Sequence, residues 1–199
     1  FTVARWYEGV LMDPKELGQD VNLKAVMFWG HSTNSMSQMD RVKKALEKVE
    51  LIVDIDPFVT NTAVLPDRKD GMYLLPAATN YEQWGSSTNT NRDLQWRDKV
   101  VDPVFEARPD LAIMIEFAER LGFRKEFIHT MKGDWKGVPA SMNNVKTLPE
   151  ATFEDVLREI NLGCLSIGYN GQTPERLKRQ HQWAHVFDIN TKKAVGGAV

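Results

Sequence analysis

The sequence predicts an α/β fold: an open parallel sheet of few strands with flanking helices and a helical C-terminal part. Three observations carry this reading. Two compact apolar runs, Lys24 to Trp29 (KAVMFW) and Leu51 to Ile55 (LIVDI), suit buried strands. Between them Met39, Val42, Leu46 and Val49 recur at helical spacing, with Lys43, Lys44, Glu47 and Lys48 filling the opposite face. Strand, helix and strand over about thirty residues make a βαβ unit, which implies parallel pairing and a right-handed crossover.

In chain order, residues 1–23 read as a lead-in segment. The first strand ends at Gly30, the second at Asp56-Pro57, and a third, Met72 to Leu75, at Pro76. The stretch from Tyr73 to Gln95 (YLLPAATNYEQWGSSTNTNRDLQ) then turns rich in Ser, Thr, Asn and Gly. Such a stretch cannot pack a core of its own, and lying between patterned blocks it is expected to be an ordered loop over something polar. Leu94 to Val101 alternates weakly and reads as a peripheral strand. Asp110 to Leu121 is a helix that Pro109 precedes, Asp110 caps and Gly122 terminates. Gly133 to Pro149 reads as a loop or insertion, followed by helices near Phe153 to Leu162 and Pro174 to Ala184. The organisation expected is therefore an α/β module over 24–123 and a helical extension over 124–199.

At 199 residues the chain has room for one sizeable core or two small ones. A net charge of −2 exerts no pull toward nucleic acid, and none is expected as a partner. No apolar run approaches the roughly twenty residues that span a bilayer, so no direct membrane insertion is expected. The single cysteine, Cys164, excludes an internal disulfide and a cysteine-ligated iron–sulfur cluster within this chain, and it reads as buried and inert. The chain opens Phe1-Thr2-Val3 with no signal segment, and an excised piece of a longer polypeptide is expected.

Open parallel sheets bind ligands outside the carboxyl ends of their strands. Those positions hold Gly30-His31-Ser32-Thr33-Asn34, then Asp54-Ile55-Asp56, then the polar loop. A Gly for close approach, hydroxyl and amide donors and a following helix N-terminus suit a phosphate. Asp56 stands near where a Rossmann-like nucleotide fold places an acid against ribose hydroxyls or a base edge. The bland alternative is that Gly30 ends a strand and Asp56 caps a turn. His181 and His185 stand at helical i and i+4, but Gln182 replaces the usual catalytic Glu and no third ligand is evident. No metal site is expected, and structural histidines are the simpler reading. Lys43-Lys44 and Arg176 to Arg179 read as solvated helix faces. The tryptophans are core or interface mass, with Trp29 and Trp84 adjoining the proposed site. No Ser–His–Asp arrangement is legible, and no residue is assigned a catalytic role.

Taken together, FWGHSTN, LIVDIDPFVTNTA, LLPAATNYEQWG, NRDLQ and PDLAIMIEFAERLG resemble, in order and spacing, the cofactor-binding module of the molybdopterin oxidoreductases. The likeness runs from about Lys24 to Phe123. WGHSTN, DRKDGMYLLPA, LQWRDKVVDP and SIGYNGQTPERLK are most similar to the large catalytic subunit of respiratory formate dehydrogenases. The resemblance implies a bis-molybdopterin guanine dinucleotide cofactor carrying molybdenum or tungsten. It places Gly30 and Ser32 near the pyrophosphate or nucleotide, Ser32 standing where many relatives have Asn. It places Ile55 and Asp56 at the guanosine, Asp56 as hydrogen-bond acceptor. Gln83 falls where some relatives have Lys, and Asp110 matches an acid that faces the guanine.

Two departures stand out. Trp84 replaces the second acid of the usual Glu-x-Glu-Gly, and residues Val64 to Gly71 are inserted ahead of the third strand. The resemblance also puts His31 and Ser32 in the dinucleotide turn and not at the metal. It leaves the metal-binding residues and an iron–sulfur cluster to parts of the parent protein outside this chain. The implied parent oxidises formate to carbon dioxide in the periplasm and passes electrons to iron–sulfur and cytochrome b subunits. Within the family the alternative is a nitrate or polysulfide reductase; outside it, a non-redox nucleotide-binding module. A guanine carboxylate acceptor and pyrophosphate donors meet the physical needs of such a ligand.

Overall fold

The computed structural model describes residues 2–88, 93–131, 153–163, 173–179 and 183–185. The chain forms two compact units, one of Phe1–Ala78 with Val104–Arg108, the other of Thr79–Pro103 with Pro109–Val199.

The first unit is the expected parallel sheet. Strands β1 (Ala25–Trp29), β2 (Leu51–Asp56) and β3 (Tyr73–Pro76) lie in the order β1-β2-β3. Every pairing is parallel, with Met27 opposite Val53 and Val53 opposite Tyr73. The lead-in is folded into this unit. Its helix α1 (Glu8–Leu11) brings Trp6, Tyr7 and Val10 into one core with Phe28 of β1, Ile52 of β2 and Val42, Ala45 and Leu46 of helix α2 (Met39–Lys48). Trp6 meets Phe28 edge-to-face at 5.6 Å, a favoured geometry for aromatic pairs. Asn22 closes the end of α1 by donating to the carbonyls of Gly9, Val10 and Met12.

The segment expected as an insertion, Val64 to Gly71, has a structural use. Arg68 lies past the short helix α3 (Asn61–Val64) and reaches back to the carboxyl end of α2. Its Nη1 donates to the carbonyls of Leu46 and Val49 at 2.6 Å each, its Nη2 to that of Glu50, and its Nε to Gly71. A helix leaves its last carbonyls unbonded, and α2 ends in Val49 with no glycine cap, so one guanidinium supplies the missing donors.

The second unit holds a sheet of which the sequence revealed one strand, the peripheral strand expected from Leu94. Strands β4 (Gly85–Thr88), β5 (Asp93–Arg97) and β6 (Trp183–His185) run antiparallel in the order β4-β5-β6. The polar stretch is therefore part strand: Ser86 pairs with Trp96 and Ser87 with Gln95. The predicted helix over Pro174 to Ala184 is corrected likewise. Helix α7 spans Pro174–Arg179 only, and His185 lies in β6 opposite Asp93, where pairing across the sheet overrides local spacing. His185 thus stands in a strand and not on a helix, while His181, like Cys164 and the expected insertion at Gly133 to Pro149, lies outside the described residues.

Helices α4 (Asp110–Arg120), α5 (Arg124–Met131) and α6 (Phe153–Gly163) complete the unit. Gly122 ends α4 as expected, with φ +83° and Phe123 donating back to Ala118. The core is Leu94 and Trp96 of β5 with Leu157 of α6, Leu177 of α7 and the flanking Phe153. Beside it, the buried Arg158 binds Asp155, Glu154 and Glu175, tying α6 to α7. Lys178 is no freely solvated cation: it bonds Glu154 and lies 5.3 Å from the centre of the Trp96 ring.

Burial alone raises the Glu175 carboxyl, yet the Arg158 guanidinium outweighs it and holds the group below the ordinary carboxylate range. A folded value below the unfolded one means that the pair stabilises the fold above the ordinary Glu pKa. That contribution is lost as pH falls through the folded value. Glu175→Gln is therefore expected to lower stability near neutrality and to shrink the acid-induced loss. Urea midpoints that follow the wild type from about pH 7 to about pH 3 contradict this.

Candidate functional site

At the carboxyl end of β1 the chain turns at Gly30, whose φ of +58° is strained for any residue with a Cβ. Its N–H donates to the Ile55 carbonyl at 2.9 Å, locking the two strand ends together. Among the described residues no atom lies within 4 Å of where a Cβ would stand, so backbone conformation and not crowding demands this glycine. Ser32 then opens a single 3-10 turn, Thr33–Ser35, and its carbonyl accepts from the Ser35 hydroxyl at 3.1 Å. The helix N-terminus expected at this point is displaced. The turn intervenes, α2 begins only at Met39, and its first turn already carries the acid Asp40.

Past β2, Asp56 is half-buried and accepts the Phe58 N–H on Oδ1 at 3.3 Å, an Asx turn that bends the chain away from the sheet. Ile55 is fully buried, and its backbone serves the site by holding Gly30. The loop that follows is pinned by threonines. Thr60 donates its hydroxyl to Asp54 Oδ2 at 2.8 Å and accepts the Thr62 N–H. Thr62 Oγ1 in turn accepts the Thr33 N–H at 3.2 Å, joining the loops after β1 and β2.

Sequence reading placed His31, Thr33 and Asp54 at the ligand-binding strand ends but did not single them out as contacts. Each carries a buried polar atom with no hydrogen-bond partner among the described residues: Asp54 Oδ1, Thr33 Oγ1 and His31 Nε2. Such atoms are uncommon in folded proteins and costly, and three at one sheet end fit a polar ligand. Desolvation pushes the Asp54 carboxyl up, assisted by the charge of Asp56 and opposed by the Thr60 hydroxyl. The available signal was an acid in the middle of an apolar strand, LIVDI. Asp54 and Asp56 flank a cleft of about 120 Å³ with Pro57, Phe58, Val59 and Leu74 to Pro76, a size for a base edge or one sugar. The donors and acceptors here can bind a polar ligand, and no activated nucleophile stands among them.

Gln83 and Asp110 belong to the second unit, and there they engage each other. Gln83 Nε2 donates to Asp110 Oδ2 at 2.9 Å, while its Oε1 accepts the Asp110 N–H at 3.2 Å. Asp110 is the first residue of α4 and not its cap; a glutamine 27 positions earlier takes the orphan donor. The neighbouring Glu82 accepts both the N–H and the hydroxyl of Thr79, closing the head of the loop. The Trp84 ring lies 6.1 Å from that of Phe153, and the Lys99 ammonium sits over the Trp84 ring, 5.2 Å from its centre.

A family model described as molybdopterin oxidoreductase matches residues 11–120. The chain belongs to the molybdopterin oxidoreductase family. It is 30% identical over 164 residues to the trimethylamine-N-oxide reductase of Vibrio parahaemolyticus, covering 76% of this chain and 19% of that protein. It is 38% identical over 96 residues to a nitrate reductase of Symbiobacterium thermophilum, covering 48% of this chain and 12% of that protein. Over 109 residues it is 32% identical to the "Putative formate dehydrogenase" of Staphylococcus haemolyticus, covering 54% of this chain and 11% of that one. Acetylene hydratase from Pelobacter acetylenicus shares the fold with a TM-score of 0.55 at 20% identity, over 92% of this chain and 20% of that chain. The chain thus spans a fifth or less of the length of these relatives.

Proposed function

We propose that this chain is an internal piece of the catalytic subunit of a molybdenum- or tungsten-dependent formate dehydrogenase, and that it grips one guanine dinucleotide of a bis-molybdopterin cofactor. The observation that carries the binding role is the set of three unpartnered buried polar atoms at the carboxyl end of the parallel sheet. They lie in the segment where the family likeness is found. Gly30, Ser32, Ile55 and Asp56 frame that end of the sheet; Gln83 and Asp110, in the second unit, are proposed as cofactor contacts from the family resemblance alone. The cofactor, when bound, carries the redox chemistry, and the chain's share is to hold and orient it. Formate as substrate is supported by the likeness of WGHSTN, DRKDGMYLLPA and LQWRDKVVDP to that subgroup and by the name of the staphylococcal relative. The same proposal extends to a periplasmic parent, an iron–sulfur cluster elsewhere in it, and electron-accepting iron–sulfur and cytochrome b partners.

A second reading has an observation of its own. The likeness to a trimethylamine-N-oxide reductase extends over more of the chain than the likeness to the staphylococcal protein. Assaying the purified full-length parent with formate, trimethylamine N-oxide and nitrate separates the two. For the binding role, Asp56→Ala in that parent is expected to lower metal and guanine content together, by about tenfold for a lost charge-assisted contact. Guanine content equal to the wild type in the purified variant would sink the assignment of Asp56.

A further inference from the structure

We infer that Asp54, a residue outside the family-derived contact set, is a specificity-determining acceptor of the nucleotide site, taking an N–H or O–H donor of the guanosine beside the one taken by Asp56. This rests on the nucleotide reading proposed above. Asp54 is 3% exposed and stands among Ile52, Val53 and Ile55, where an apolar residue satisfies the strand at no electrostatic cost. Holding the loop explains half of its carboxylate. Thr60 bonds Oδ2, and the threonine relay through Thr62 to Thr33 depends on that bond. Among the described residues nothing bonds Oδ1.

Alternation along β2 puts Asp54 and Asp56 on one side of the strand, and both line the same cleft. The terminal torsion of an aspartate is soft, so bringing an oxygen to the cleft needs no backbone movement. Phe58 and Val59, 75% and 68% exposed, form an apolar rim beside the two acids. Two neighbouring carboxylates next to an apolar rim match a ligand with two adjacent donors and a flat or ring-shaped body. In guanosine this chemistry occurs twice, at the N1–H and N2–H edge of the base and at the vicinal ribose hydroxyls. Adenine lacks the paired donor edge.

The test uses the full-length parent purified without cofactor and titrated calorimetrically with GMP, AMP, IMP and 2′,3′-dideoxy-GMP. Asp54→Val, close in volume but without an acceptor, is expected to weaken GMP binding by about tenfold. If the base is read, the variant also loses the preference for GMP over AMP and IMP. If the ribose is read, it loses the preference for GMP over the dideoxy nucleotide. Asp54→Asn keeps the shape and one neutral acceptor, and a loss of about threefold is expected. It serves if the valine variant does not fold. Thr60→Val removes the bond to Oδ2 alone and is expected to retain the wild-type preferences. GMP affinity within twofold of the wild type in both Asp54 variants overturns the inference, as does a Thr60→Val variant that reproduces the full Asp54→Val loss. A wild-type parent that binds no GMP overturns the nucleotide reading itself.

Discussion

Replacing Arg158 by alanine is expected to destabilise the second unit by about 3–5 kcal/mol, the cost of breaking a buried ion pair from one side. Its guanidinium is 6% exposed and Asp155 only 1%, so water screens neither charge. The same side chain also serves Glu154 on its own helix and Glu175 on α7. Truncation strips the cation from three carboxylates at once, and Lys178 bonds only one of them. Arg158→Lys keeps the charge but not the fork that reaches three acceptors, so a smaller loss is expected. Urea denaturation followed by far-UV circular dichroism checks both. A loss below about 1 kcal/mol for Arg158→Ala places the network among surface pairs of negligible weight.

The second large effect is expected at Arg68. Arg68→Ala removes four donations to main-chain carbonyls and should cost the first unit about 2–3 kcal/mol. The loss falls at the carboxyl end of α2, whose Leu46 and Val49 are core residues. Amide exchange in Ala45 to Val49 is expected to quicken more than in Met39 to Val42, because fraying starts where the donors disappear. Uniform acceleration along α2 would instead mean that the whole helix has loosened, and would argue against a capping role.

Arg68 also shows why part of this fold was hidden in the sequence. The parallel sheet was legible because its strands and α2 write their burial locally, as apolar runs and as a helical stripe ending where β2 begins. The cap on α2 comes from a residue about twenty positions away, and nothing near Val49 announces it. β4 was missed for a related reason. Gly85-Ser86-Ser87-Thr88 has no apolar alternation, and only pairing with Leu94 to Arg97 makes it a strand. β6 is three residues long and took its place through β5 in spite of helical spacing. At the candidate site Gly30 and Asp56 were legible from their places at strand ends. Asp54 was placed beside Asp56 but not singled out as a contact, because an unpaired oxygen is a property of three dimensions.

The Gln83–Asp110 pair bears on how a nucleotide would be held. The carboxylate proposed to face the guanine already accepts from the Gln83 amide, and that amide in turn secures the start of α4. A ligand that takes Asp110 Oδ2 must exchange one donor for another, so the affinity registered there is a difference between two hydrogen bonds and not the strength of one. On the proposed role of Asp110, the Gln83 amide would be a built-in competitor, satisfying this acidic helix start and setting the threshold that an incoming base must exceed.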